Sequence, residues 1–325
     1  MRIERRRFLL SASGIATCFA AFGVAQAETY PSRPVRIIVA TSAGGSTDIA
    51  ARLLAQWLTE RLGQSFVVEN RPGGNNNIGT EVAARSPADG YTLFMANSVN
   101  AINAALYKNL SYDFVADFAP VIHVLTSPLF MMVHPSIPAT TVPEFIAYAK
   151  TNPDTISMGS GGNGSSGHLA GELFMMMAGV KMLHVPYRGE SLAMTDLLGG
   201  QAQVVFATTG SSISFVRAGS VRALAVTTPS SLPGLPDVPP LAQFLPGYEA
   251  GGWSGLCVPK NTPSAIVDLL NTQINAALVS ATIRQRMADM GGTVPGGSPA
   301  DFAEFIAGDI EKWTKVATFA GVTMN

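Results

Sequence analysis

VRIIVATSAGGSTDIAARLLAQWLTERL, residues 35–62, reads as a strand, a small polar loop and a helix. Val35–Ala40 is a β-branched apolar run. Thr41–Asp48 is built from Gly, Ser, Thr, Ala and Asp. From Ile49 to Leu62 the apolar residues have helical spacing, with Leu53, Leu54, Trp57 and Leu58 on one side. Gly63 is a helix stop. A loop of this kind ends on the first amides of a helix. Those amides have no internal partner and carry the positive end of the helix dipole. A carboxylate placed there is held by N–H and hydroxyl groups without lysine or arginine.

The same pattern recurs outward along the chain. Phe66–Val68 leads into Asn70-Arg71-Pro72-Gly73-Gly74-Asn75-Asn76-Asn77 and a helix from about Gly79. Tyr91–Met95 precedes Ala96–Asn100. Thr155–Met158 precedes Gly159–Gly167 and a helix over His168–Ala178. Met182–Val185 precedes Pro186–Gly189, and Val204–Phe206 precedes Ala207–Gly210. Alternating strands and helices predict an α/β chain of parallel sheets, with ligands beyond the carboxyl ends of the strands. One Gly-rich loop alone usually serves a turn or a cap. Four or more in one chain point to binding.

The N-terminus predicts export. Arg2, Arg5, Arg6 and Arg7 are followed by an uncharged stretch, Phe8 to Val24, and by Ala25-Gln26-Ala27, a small-x-small cleavage pattern. Arg5-Arg6-Arg7-Phe8-Leu9 fits a twin-arginine signal, and an ordinary Sec signal with extra arginines reads almost as well. Thr17 before Cys18 is a poor lipoprotein cleavage site. Removing residues 1–27, which carry a net +3, takes the chain from −1 to about −4, which argues against nucleic acid or an anionic membrane as partner. Cys257 is then the only thiol, in the apolar run Gly255–Val258, and is expected to be a buried hydrophobe. Nothing after residue 27 reads as transmembrane, so a role in transport requires a membrane partner. The length suggests two domains.

Catalytic signatures are weak. Gly159-Ser160-Gly161-Gly162-Asn163-Gly164 matches G-x-G-x-x-G between a strand and a helix, with Glu190 as a late candidate for the ribose acid. An exported nicotinamide-cofactor oxidoreductase using this loop is therefore the alternative reading. No serine is flanked by glycines in G-x-S-x-G. His123, His134, His168 and His184 show no metal-ligand spacing. The expectation is a binding protein with no cofactor and no metal.

Several stretches carry a family resemblance. VENRPGGNNNIGTEVAARSPADGYTL, residues 68–93, is the most diagnostic, beside ATSAGGSTDIAARLLA. GSGGNGSSGHLAGELFMMMAGVKMLHVPYRGESLAMTDLLGGQAQVVF, VRALAVTT, LPDVPPL, PGYEAGGWSGLCVPKNTP and the final WTKVATFAGV follow in order. The chain resembles the solute-binding receptors of the tripartite tricarboxylate transporter family, also called Bug receptors. The resemblance implies a two-lobed periplasmic binding protein of flytrap form, type II-like, with a ligand cleft between lobes. It implies a monomer that hands a small organic carboxylate to membrane transporter subunits, or reports it to a sensor. Carried over, the carboxylate meets Ala43, Gly44, Gly45, Ser46, Thr47, Gly74, Asn75, Asn76, Asn77 and Ser98. Ser160, Asn163, Ser165, Ser166, His168, Tyr187 and Thr208 face it from the other lobe. Asp48 is expected to cap its helix. With hinge strands near His123–Leu125 and Trp253–Val258, one lobe is 28–124 plus 252–325 and the other 125–251.

Two departures stand out. Family members often carry an acid after the "VVF" strand, where this chain has Ala207-Thr208-Thr209, so a ligand amine would lose its counter-ion. The second loop reads GGNNN where the family has smaller residues, which predicts altered water bridging to the carboxylate.

Overall fold

The computed structural model describes residues 30–228, 230–232 and 235–322. The expected signal segment 1–27, the expected cleavage after Ala27 and Cys18 lie outside the described residues. From Arg33 onward the chain alternates as the sequence suggests: β1 (Val35–Val39), α1 (Ser46–Leu62), β2 (Phe66–Asn70), α2 (Asn77–Ala84), β3 (Thr92–Asn97) and α3 (Ser98–Leu106). A long β4 (Phe118–Val133) follows, then α4 (Val142–Thr151), β5 (Ser157–Ser160), α5 (Ser166–Ala178), β6 (Leu183–Pro186), α6 (Glu190–Leu198), β7 (Val204–Thr208), α7 (Thr209–Arg217) and β8 (Arg222–Val226). The chain closes with β9 (Gly251–Pro259), α8 (Ser264–Leu278), α9 (Ala281–Asp289) and α10 (Pro299–Ala320). Gly63 caps α1 in the left-handed region, φ 72°. Among the described residues no single helix is long and apolar enough to cross a membrane.

The strands line up in the order β2-β1-β3-β9-β4-β7-β5-β6, with β8 also paired to β4. The β2-β1-β3 and β7-β5-β6 groups are parallel, as alternation predicts. The centre departs from that expectation: β9 is antiparallel to β3, and β4 is antiparallel to β9, β7 and β8. The six strand–loop–helix repeats read from composition did not include β4, β8 or β9; of these, only parts of β4 and β9 were expected, as hinge strands near His123–Leu125 and Trp253–Val258. β4 pairs with β9 from Phe118 to Pro128 and with β7 and β8 from about Leu129 onward. Two register shifts, at Pro120/Ile122 and His123/Leu125, bend it on the way.

The second half of β4 shows why period two matters. Leu129, Met131 and Val133 enter one core with Phe145, Phe174, Phe206 and Trp313. Phe130 and Met132 enter the opposite one with Leu197, Val205 and Ala207. A strand buried on both faces reads as a continuous apolar run, as PLFMMV does. The first sheet has its own core: Ile38, Phe94, Phe118, Cys257 and Phe302. Cys257 is fully buried, and burial pushes its thiol up, so it is inert packing. Helix α10 contributes to two cores, Phe302 and Ile306 to that of the first sheet, and Trp313 and Val316 to the β4 core.

Candidate functional site

Two loop clusters sit at the carboxyl ends of the parallel strands. In the first, β1 and β2 are parallel neighbours, so their loops leave the same edge. The Asn70 side chain joins them, donating to Thr41 O (3.1 Å) and to Asp48 Oδ1 (2.9 Å). Asp48 is 2 % exposed, and its Oδ2 accepts from Gly44 N (2.9 Å) and Arg52 Nε (3.0 Å). Burial raises its pKa, but the Arg52, Gly44 and Asn70 bonds outweigh burial and hold the carboxyl below its usual range. It braces the loop from behind. Gly45 is the N-cap of α1, and no side chain caps it. Ala43, Gly44, Gly45 and Ser46 are exposed. Thr47 is mostly buried, with its hydroxyl 2.9 Å from Ser254 Oγ on β9.

The second loop turns through four successive positive φ values at Gly73, Gly74, Asn75 and Asn76. Asn is the non-glycine residue that tolerates this best, which accounts for GGNN. Gly79 is required for another reason: a Cβ there would lie 2.6 Å from Arg71 O and 2.8 Å from Ala40 Cα. The asparagine side chains are spent on the scaffold. Asn75 donates to Asn103, Asn103 donates to Asn77, and Tyr112 donates to Asn77 at 2.6 Å. Asn76 donates to Asn97, which with Asn100 forms the capping box of α3. The side chains of Asn75, Asn76 and Asn77 therefore hold loop to helix, while the N-cap of α2 has no side-chain cap. Ser98 is buried as the first residue of α3. Arg71 is exposed and ion-paired to Glu69.

In the second cluster a side chain caps the start of α5, while the starts of α6 and α7 have no side-chain cap. Ser165 caps α5 by accepting from His168 N. His168 is buried and its Nδ1 accepts from Gly164 N (3.1 Å), which puts the ring proton on Nε2, 3.4 Å from Glu172 Oε1. His168 stacks on His184 with centroids 3.8 Å apart, and His184 Nε2 lies 2.6 Å from the hydroxyl of buried Ser160. Burial first, and the neighbouring His168 second, lower His184 to about 4. Ser160 Oγ also accepts from Gly162 N (3.2 Å). The G-x-G-x-x-G amides at Gly162 and Gly164 are thus committed to side chains, which weighs against a dinucleotide. Tyr187 donates to Asp196 (2.6 Å), which with burial pushes its phenol up to about 12. Asn163 is exposed, Ser166 half-buried.

Thr208 holds a surprise. Its N–H (3.1 Å) and hydroxyl (2.8 Å) both donate to the Glu190 carboxylate, and Ser211 Oγ donates to the same Oε1. Glu190, at the start of α6, thus places a carboxylate beside the residues that follow the "VVF" strand. An 18-residue separation with no local motif hid this. Asn97-x-x-Asn100, by contrast, is a readable cap pattern that sequence reasoning passed over. Among the described residues, no group of three His, Cys, Asp or Glu is placed to hold a metal.

A sheet of this order, opened at one edge by uncapped helix starts, is the architecture of a periplasmic binding protein. The sequence profile described as tripartite tricarboxylate transporter family receptor matches residues 50–321, and the chain belongs to that family of solute-binding receptors, not enzymes. Among solved structures, Rpa4515 of Rhodopseudomonas palustris with adipate is 38% identical, with TM-score 0.79, covering 90% of this chain and 99% of that one. The periplasmic binding protein BugD is 33% identical with TM-score 0.76, covering 91% and 100%. MatC of R. palustris with bound malate is 29% identical with TM-score 0.75, covering 88% and 99%.

Proposed function

We propose that this receptor captures a small organic carboxylate in the periplasm and delivers it, as a monomer, to membrane subunits of a tripartite transporter or to a sensor. The observation that carries the reading is the pair of adjacent helix starts, α1 and α2, whose first turns no side chain caps. One ligand carboxylate sits against Ala43, Gly44, Gly45, Ser46 and Thr47, and against the amides of Gly74, Asn75 and Asn76, with Asn77, whose own N–H donates to Gly74 O (3.1 Å), beside them and Ser98 at the rim. Ser160, Asn163, Ser165, Ser166, His168, Tyr187 and Thr208 form the facing wall. The lobes are 28–124 plus 252–325 and 125–251. The change of β4 partners after Pro128 and the start of β9 at Gly251 support that division. The relatives solved with adipate and malate support the ligand class. Export by the signal 1–27, cleaved after Ala27, completes the reading.

A thermal-shift panel of organic acids beside nicotinamide dinucleotides tests it. An acid at 100 times its dissociation constant stabilises by about 2.7 kcal/mol. Stabilisation by a dinucleotide and by no acid would replace the receptor with the oxidoreductase. Calorimetry then locates the affinity. Thr47→Ala removes a hydroxyl that, accepting from Ser254 Oγ (2.9 Å), would donate to the ligand carboxylate, and is expected to cost about 1.5–3 kcal/mol of binding. Arg71→Ala and Arg188→Ala are expected to cost less, since Arg71 is engaged with Glu69 and Arg188 is exposed. Loss of binding in either arginine variant, with Thr47→Ala silent, would establish a guanidinium clamp in place of the amide cradle.

A further inference from the structure

We propose that Glu190 is a built-in anion that selects ligands with a carboxylate at one end and no negative charge at the other. This rests on the reading that the ligand lies between the two loop clusters.

The placement of Glu190 is specific. It is the first residue of α6, after Gly189 at φ 121°, and it is half-buried. Its carboxylate accepts from Thr208 N, Thr208 Oγ1 and Ser211 Oγ, which are the groups that an external anion would use at the start of α7. Ser211 and Thr208 hydroxyls are also 2.9 Å from each other, so the cap is a closed set of bonds. Gly161 packs beside it: a Cβ on Gly161 would lie 3.2 Å from Glu190 N. The charge therefore stands inside the wall formed by the Gly159–Gly167, Tyr187–Glu190 and Thr208–Ser212 segments.

Among the described residues no basic side chain lies within ion-pair distance of Glu190. The first cluster differs in kind. There the buried carboxylate, Asp48, lies behind the loop and is paired with Arg52, while the α1 and α2 starts are left without side-chain caps. One end of the site offers amides to an anion, and the other already contains one. A second ligand carboxylate at the far end would meet a like charge that is half-buried, where repulsion is stronger than in bulk water. The relative solved with adipate holds a ligand with two carboxylates; Glu190 sets this chain toward monocarboxylates.

Calorimetry on the mature chain with straight-chain acids tests the assignment, using monocarboxylates and dicarboxylates matched in length from about four to eight carbons. The wild type is expected to bind the best monocarboxylate at least roughly tenfold tighter than its dicarboxylate partner, a difference of about 1.4 kcal/mol. Glu190→Gln keeps an oxygen to accept from Thr208 and removes the charge. It is expected to erase most of that preference, so that the ratio of the two affinities in each matched pair falls from about tenfold toward one. Equal affinity for both series in the wild type, or a preference that survives Glu190→Gln, overturns the role of Glu190 and leaves the carboxylate reading intact. If no acid binds either protein, the carboxylate reading falls and this assignment falls with it.

Discussion

Asp48→Ala is expected to lower stability by about 2–4 kcal/mol and to weaken acid binding in the same protein. The residue is small, but its carboxylate, with the Asn70 side chain, joins the first loop, the first helix and the second strand at one point. Gly44 N, Arg52 Nε and Asn70 Nδ2 all donate to it, and it is 2 % exposed. Arg52 is half-exposed, so its share is screened and small. The larger share is the bonds to Gly44 and Asn70, because their loss releases the Gly44 amide and one of the two ties of Asn70, and frees the loop that presents the Gly45 helix start. Asp48→Asn keeps the shape and is expected to recover part of the loss. The pH dependence has a definite sign. The folded carboxyl titrates below its unfolded value of 3.8, so the contribution is fully present above pH ~4. It is lost as the pH falls through the lower folded value. Urea unfolding at neutral and acid pH, with wild type and Asp48→Ala side by side, reads both effects. An unchanged midpoint at neutral pH would mean that the loop is held by something else.

The strand–loop–helix units were legible because their signals are local. Val35–Val39 and Ser46–Leu62 fall where periodicity puts them, and Gly63 stops the helix as a left-handed cap should. The expected capping by Asp48 did not hold: its carboxylate takes Gly44 N, ahead of the Gly45 N-cap, and braces the loop instead. The mixed centre of the sheet was less legible, because PLFMMV is apolar on both faces and carries no period that reveals its direction. The site divided the same way. Exposed backbone at Gly44–Ser46 follows from composition. The commitments of side chains do not: the asparagine ties from Asn75 to Asn103 and from Asn76 to Asn97 span more than 20 residues. So do the Ser160–His184 contact and the Thr47–Ser254 bond, while Glu190 reaches Thr208 across 18. These are contacts created by the folded sheet edge, and sequence neighbours carry no trace of them.

Trp253→Ala is expected to cost about 3–5 kcal/mol, the upper range for truncating a buried aromatic. Trp253 lies on β9 opposite Thr126 of β4, within the pair of strands that joins the two sheets. It is 4 % exposed and meets His123, Phe302 and Phe305 edge-on, with centroids 5.5–6.1 Å away. Its indole N–H donates to buried Asp309 Oδ2 at 2.7 Å, and Lys312 pairs with the other oxygen at 2.7 Å. This cluster fastens α10 to the central strands. Trp253→Phe separates packing from hydrogen bonding: it keeps an aromatic ring and removes the donor to Asp309, at about 1–3 kcal/mol. His123 enters the same cluster as a neutral ring, since burial lowers it to about 4. The unfolded chain therefore takes up that proton first, and stability falls as the pH drops from 6.5 toward 4. His184, lowered for the same reason, adds to the same slope. Denaturant titrations of the two Trp253 variants, each repeated at pH 7 and pH 5, resolve the terms. If Trp253→Phe proves as costly as Trp253→Ala, the indole–Asp309 bond dominates the joint. If it is silent, ring packing alone holds α10 in place.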